Sequence, residues 1–265
     1  MMKGKSTAKR SVALCAPVIV VLFAATVAAH ATESTVRKPV LLELFTSEGC
    51  SSCPPADALL ETLDRTQPVD GAQLIVLSEH VDYWNNGGWE DPFSSHIFSV
   101  RQQEYTAHFS VEGPYTPELV VDGRAELVGS NAPKAQAAIE EALGRPKLEV
   151  TLTHAERDGK AVRAHIQVAG GPGAPSTAGG ATVYVVVAQN EAESGVGAGE
   201  NAGKKLHYVA VVQTLQGAGK LGANGDYSRD VTVSLGEAGK KPVRLIAFVQ
   251  DKKTRAILGA AQVRL

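Results

Sequence analysis

The chain has 265 residues, 44% of them hydrophobic, with 26 Lys and Arg against 28 Asp and Glu and a formal net charge of −2. That balance argues against nucleic acid as a partner, since such a partner calls for a clustered basic surplus. The apolar content is ample for a packed core, and the length allows one large domain or two of ordinary size.

The first ten residues carry four basic side chains and no acidic one, and they run into the apolar stretch 11–29. This is a signal-peptide layout, closed by the pattern Ala29-His30-Ala31. Residues 1–31 are therefore expected to be removed near Ala31, leaving a periplasmic or secreted chain without a stable membrane anchor. A retained anchor is the competing reading, because the run is long for a signal segment. No other segment is long enough to cross a bilayer. Cleavage would leave 22 basic against 28 acidic side chains, a charge of about −6, and would discard Cys15. Cys50 and Cys53 would then be the sole thiols of a chain bound for an oxidising compartment. A scattered disulfide framework and a four-cysteine zinc site are excluded.

Val40–Phe45 is a short, mostly apolar run of the kind that forms a strand buried on both faces. After Cys50-Ser51-Ser52-Cys53, Ala56, Leu59, Leu60 and Leu63 recur at helical spacing, with Asp57, Glu61 and Asp64 on the other side and Pro54-Pro55 in the first turn. Leu74–Leu77 reads as a second strand, and a strand-helix-strand unit of this length implies parallel pairing. A turn-rich segment, Trp84–Trp89, leads to a helix through Phe98, Arg101, Gln102 and Tyr105. Glu118–Val121 and Ala125–Gly129 flank Asp122-Gly123, a hairpin signal, and Ala132–Leu143 closes the unit as a helix stopped by Gly144. From Lys147 the pattern turns to alternation, with seven strand-like runs between Gly-rich loops. The loops at 169–180 and 191–205 are poor in hydrophobic residues and are expected to be mobile.

The Cys50-x-x-Cys53 pair stands where a buried strand turns into a helix. A helix start presents free N–H groups and partial positive charge, which favours a thiolate at Cys50 as nucleophile. Cys53, one turn on, is placed to resolve a mixed disulfide. An inert crosslink and a metal site are the alternatives.

Gly49–Asp57, His80–Trp84 and Tyr115–Gly123 together resemble the DUF1223 family of exported bacterial proteins, strongly over about residues 38–145 and weakly beyond. The resemblance implies a thioredoxin-like α/β domain at 38–145, and the alternating runs add an all-β sandwich-like domain at 147–265. Similarity to thioredoxin-like proteins in general implies a cis peptide at Thr116-Pro117 beside the cysteines, supporting a substrate groove, with a plain trans turn as the alternative, and a buried acid, Glu43, relaying the Cys53 proton. An exposed edge position is the other reading of Glu43.

His80 and Asp82, at the end of the second strand, should be neighbours of the sulfurs as proton carriers, as a metal ligand in the case of His80, or as structural hydrogen-bonding groups. Trp84, Trp89 and Tyr83 read as space-fillers beneath a long loop. The function expected is thiol–disulfide exchange with protein thiols and disulfides, possible protein-disulfide oxidoreductase activity needing no cofactor. The alternatives are a Cu(I)-binding metallochaperone module using Cys50, Cys53 and His80, and a non-catalytic binding protein. The substrate, the direction of exchange, the oligomeric state and the role of the C-terminal part are not legible.

Overall fold

The computed structural model describes residues 1–5, 37–170, 173–175, 180–222 and 224–265. The apolar leader, its cleavage pattern and part of the 169–180 loop lie outside the described residues. No helix among the described residues is long and apolar enough to cross a membrane.

Strands β1 (Lys38–Thr46) and β2 (Ala72–His80) pair in parallel and are joined by helix α1 (Pro54–Thr66). Helix α2 (His96–Phe109) leads to β3 (Glu118–Val121), which runs antiparallel to β1 and turns into β4 (Ala125–Val128). Helix α3 (Ala132–Leu143) starts where the Asn131 side chain accepts the Lys134 N–H and ends at Gly144. The remaining strands are β5 (Glu149–Asp158), β6 (Ala161–Ala169), β7 (Ala181–Gly195), β8 (Lys205–Lys220), β9 (Tyr227–Ser234), β10 (Val243–Asp251) and β11 (Ile257–Arg264).

These strands correct the expectation of a thioredoxin-like α/β domain followed by a separate β-sandwich. One mixed sheet of eight strands, in the order β11-β10-β7-β8-β2-β1-β3-β4, runs through both halves of the chain. The junction is a parallel pairing of β2 with β8, Ser78 opposite Val211. The outer edge of β2 would otherwise present unpaired N–H and C=O groups, and β8 covers it. A second sheet, β5-β6-β9, lies over the C-terminal strands. Its core joins Ile166 and Val168 to Val183, Val185 and Val187, while Val186 and Ala188 belong to the other core, with Ile246 and Phe248. Strand β7 is therefore buried on both faces, as its run of valines allows.

The register of β1 on β2 sets the site. Phe45 lies opposite Glu79 and Thr46 opposite His80. Side chains alternate along a strand, so Glu43, Phe45 and Glu79 face α2, whereas Leu44, Thr46 and His80 face the side that carries α1.

Candidate functional site

The loop after β1 brings Cys50 and Cys53 to the start of α1, where they form a disulfide with Cα atoms 5.4 Å apart. Cys53 is the residue before the first helical turn. Its carbonyl accepts the N–H groups of Ala56 at 2.8 Å and Asp57 at 3.1 Å. Pro54 and Pro55 fit that turn, but they also remove two N–H donors. Ser51 and Ser52 are exposed, whereas both cysteines are fully buried.

The Thr116–Pro117 peptide is cis and stands beside this loop. The Ser52 hydroxyl reaches Thr116 O at 3.5 Å, and Trp84 Nε1 donates to Thr116 Oγ1 at 2.8 Å. Gly129 is what lets the end of β4 close in behind. A Cβ there would lie 2.7 Å from Leu44, 3.1 Å from Ala56 and 3.2 Å from Pro117.

Glu43 is not brought to the disulfide. It is buried on the opposite face of β1, where Arg101 Nε donates to Oε1 at 2.5 Å and the Tyr105 hydroxyl to Oε2 at 2.6 Å. One buried acid on the cysteine side is Asp57, one helical turn after Cys53 and on the same helix stripe. Asp57 accepts the Thr46 hydroxyl at 2.9 Å. Burial pushes its carboxyl up to about 7, against the pull of the His80 charge and the Thr46 hydrogen bond. The helical pattern sets Asp57 apart from the apolar stripe of α1 and does not show that it is buried. Its placement four positions after a cysteine was the available signal.

His80 closes the same cluster. Its Nδ1 lies 2.7 Å from Asp91 Oδ2, and its ring sits edge-on to Tyr208 and Phe93, with centroids at 4.6 and 5.3 Å. Burial opposes a charge on His80, but Asp91, Asp57 and Glu48 outweigh it and raise its pKa. Asp91 is also buried, yet His80 and the N–H groups of Glu48 and Phe93 hold its carboxyl below the ordinary range. Glu48 is raised by burial and by Asp91, and it accepts Trp89 Nε1 at 2.7 Å. Asp82 turns away, to Ser99 Oγ at 2.5 Å and His96 Nδ1 at 3.1 Å. Among the described residues, no three His, Cys, Asp or Glu side chains are grouped to hold a metal ion.

A groove of about 440 Å³ runs between α1 and β8, lined by Pro54, Asp57, Ala58, Glu61, Lys205, Leu206 and His207. It gives Asp57 an outlet towards solvent. The 191–205 segment, expected to be a mobile loop, is instead the end of a long β7–β8 hairpin whose tip packs on the cysteine loop. Asn201 and Glu200 at that tip, like Asp91, Glu48 and Tyr208, carry no local sequence signature that ties them to the site.

The model of the family described as protein of unknown function DUF1223 matches residues 41–250, and the chain belongs to that family. No curated protein matches it. Among solved structures it is similar to protein AGR_C_4864 from Agrobacterium tumefaciens, at 26% identity and a TM-score of 0.63, over 86% of this chain and 94% of that one. It shares its fold with HBP35 of Porphyromonas gingivalis, at 19% identity and a TM-score of 0.58, over 86% of this chain and 75% of that one.

Proposed function

We propose that this member of the DUF1223 family is an exported thiol–disulfide exchange protein of an oxidising compartment, acting on protein thiols and disulfides through Cys50, Cys53 and Asp57. The observation that carries the reading is a carboxyl with a pKa of about 7 one helical turn from the second cysteine of a helix-start disulfide. Such a group is poised to give or take a proton at neutral pH.

From the oxidised form, a substrate thiolate attacks Cys50 Sγ. The Cys50–Cys53 bond breaks, its electron pair stays on Cys53 Sγ, and Cys53 takes the proton held by Asp57. The second substrate thiolate then attacks the substrate sulfur of the mixed disulfide. Cys50 Sγ leaves with the electron pair, so the substrate departs oxidised and the cysteine pair reduced. Asp57 is reprotonated through the α1–β8 groove. In the reverse direction, the Cys53 thiol loses its proton to Asp57 as it attacks. The cis Thr116–Pro117 segment, beside Ser52, serves in this reading as the wall against which substrate backbone lies.

The test is turnover of a disulfide-linked peptide with glutathione as the small-thiol couple. Cys50→Ser should abolish turnover, Cys53→Ser should accumulate a mixed disulfide, and Asp57→Asn should slow turnover about a hundredfold at pH 7. Wild-type protein no faster than Cys50→Ser would sink the reading.

A further inference from the structure

The tip of the β7–β8 hairpin grips the peptide that carries Cys50. Asn201 is fully buried, and its Nδ2 donates to Glu48 O at 2.8 Å and to Cys50 O at 2.9 Å. Lys204 Nζ donates to Asn201 Oδ1 at 2.9 Å, which fixes the amide with both hydrogens on the cysteine loop. Next to it, Glu200 Oε2 accepts the Ser51 N–H at 3.1 Å. The tip is anchored on Trp89: a Cβ at Gly197 would lie 2.8 Å from the indole ring. Here glycine permits close approach rather than looseness.

Two effects converge on Cys50. The cysteine is fully buried although Ser51 and Ser52 beside it are exposed. A carboxylate also occupies the Ser51 N–H ahead of α1, just where a helix start lacking the donors of Pro54 and Pro55 has few left to stabilise a thiolate. A negative charge there disfavours a second one on sulfur.

Building on the exchange reading above, we propose that Glu200 and Asn201 are positioning residues that hold the cysteine pair in a guarded state, and that displacement of the hairpin tip by a substrate polypeptide makes Cys50 reactive. Asn201 acts by closure and Glu200 by charge, so their removal has different signatures.

The experiment follows alkylation of Cys50 by iodoacetamide in the reduced protein between pH 5 and 10, for wild type, Glu200→Gln, Asn201→Ala and, as a second closure variant keeping one donor, Asn201→Ser. Glu200→Gln should move the pH–rate profile to lower pH with an unchanged plateau, about two- to threefold faster near pH 6, an advantage erased by 1 M salt. Asn201→Ala should raise the plateau itself about tenfold, the hold of two buried hydrogen bonds, with Asn201→Ser in between. Superposable profiles for all four proteins, beside a wild type that turns over the peptide, would overturn the hairpin proposal alone. A wild type with no peptide turnover would overturn the exchange reading beneath it.

Discussion

The two faces of the β1–β2 pair each bury carboxyl groups around one cation, and the identity of the cation separates their behaviour. On the α2 face, Glu43 and Glu79 surround Arg101, with Tyr105 and Gln250 completing the hydrogen bonds. Arginine keeps its charge at any working pH. Burial and the neighbouring Glu43 push Glu79 well above the ordinary range, against the pull of Arg101. Gln250 belongs to β10, which makes this cluster a fixed staple between the two halves of the chain. On the α1 face, Asp57, Asp91 and Glu48 surround His80, an ionisable cation whose pKa they raise against the effect of burial. The disulfide sits on the second face. The same ingredients make a strut on one side and a proton store on the other.

The distinction breaks first at Arg101. Replacing it with Ala leaves the Glu43 carboxyl buried without its cation and should cost about 3–5 kcal/mol in denaturant unfolding, with little change across neutral pH. A loss under about 1 kcal/mol would remove the staple from the account.

Asp57→Asn should act in the opposite sense. The native state holds the Asp57 proton to about 7, against an ordinary value of 3.8. The folded protein therefore binds more protons than the unfolded chain, and stability falls as pH rises from about 4 through 7. His80, raised above 6.5, adds stability that is complete below that value and declines as pH climbs through its folded midpoint. Asparagine should therefore stabilise the protein at pH 8 by on the order of 2–4 kcal/mol and change little at pH 4. Thermal melts at the two pH values check this.

A smaller effect sharpens the role of His80. His80→Gln removes the charge that lowers Asp57, so the pH midpoint of peptide turnover should rise by about one unit. An unmoved midpoint would take His80 out of the proton store.

Much of the site was legible locally, because a CxxC between an apolar run and a helix is a local pattern, as is the Asp122-Gly123 turn. The cis Thr116–Pro117 peptide is expected from likeness to thioredoxin-like proteins in general. What failed was non-local. Nothing near Ser78 announces a partner at Val211, so the local pattern points to two domains where one sheet is shared. Glu43 and Thr46 stand three positions apart on one strand, and only the packing of α1 and α2 decides which faces the sulfurs. The helical pattern puts Asp57 only on the side of α1 away from its apolar stripe, and nothing local shows that β8 covers that side. The 191–205 segment, poor in hydrophobic residues, suggests a mobile loop, whereas its Gly197 and Gly199 lie against Trp89.

The central claim is that Asp57 is the proton partner of the cysteine pair. Its most direct test is a carboxyl titration of Asp57, by carbon-13 NMR, in the oxidised and reduced protein. A midpoint near 7 is expected in the oxidised form and a higher one on reduction, where a thiolate at Cys53 would share the proton. A midpoint near 4 that does not move on reduction would contradict it.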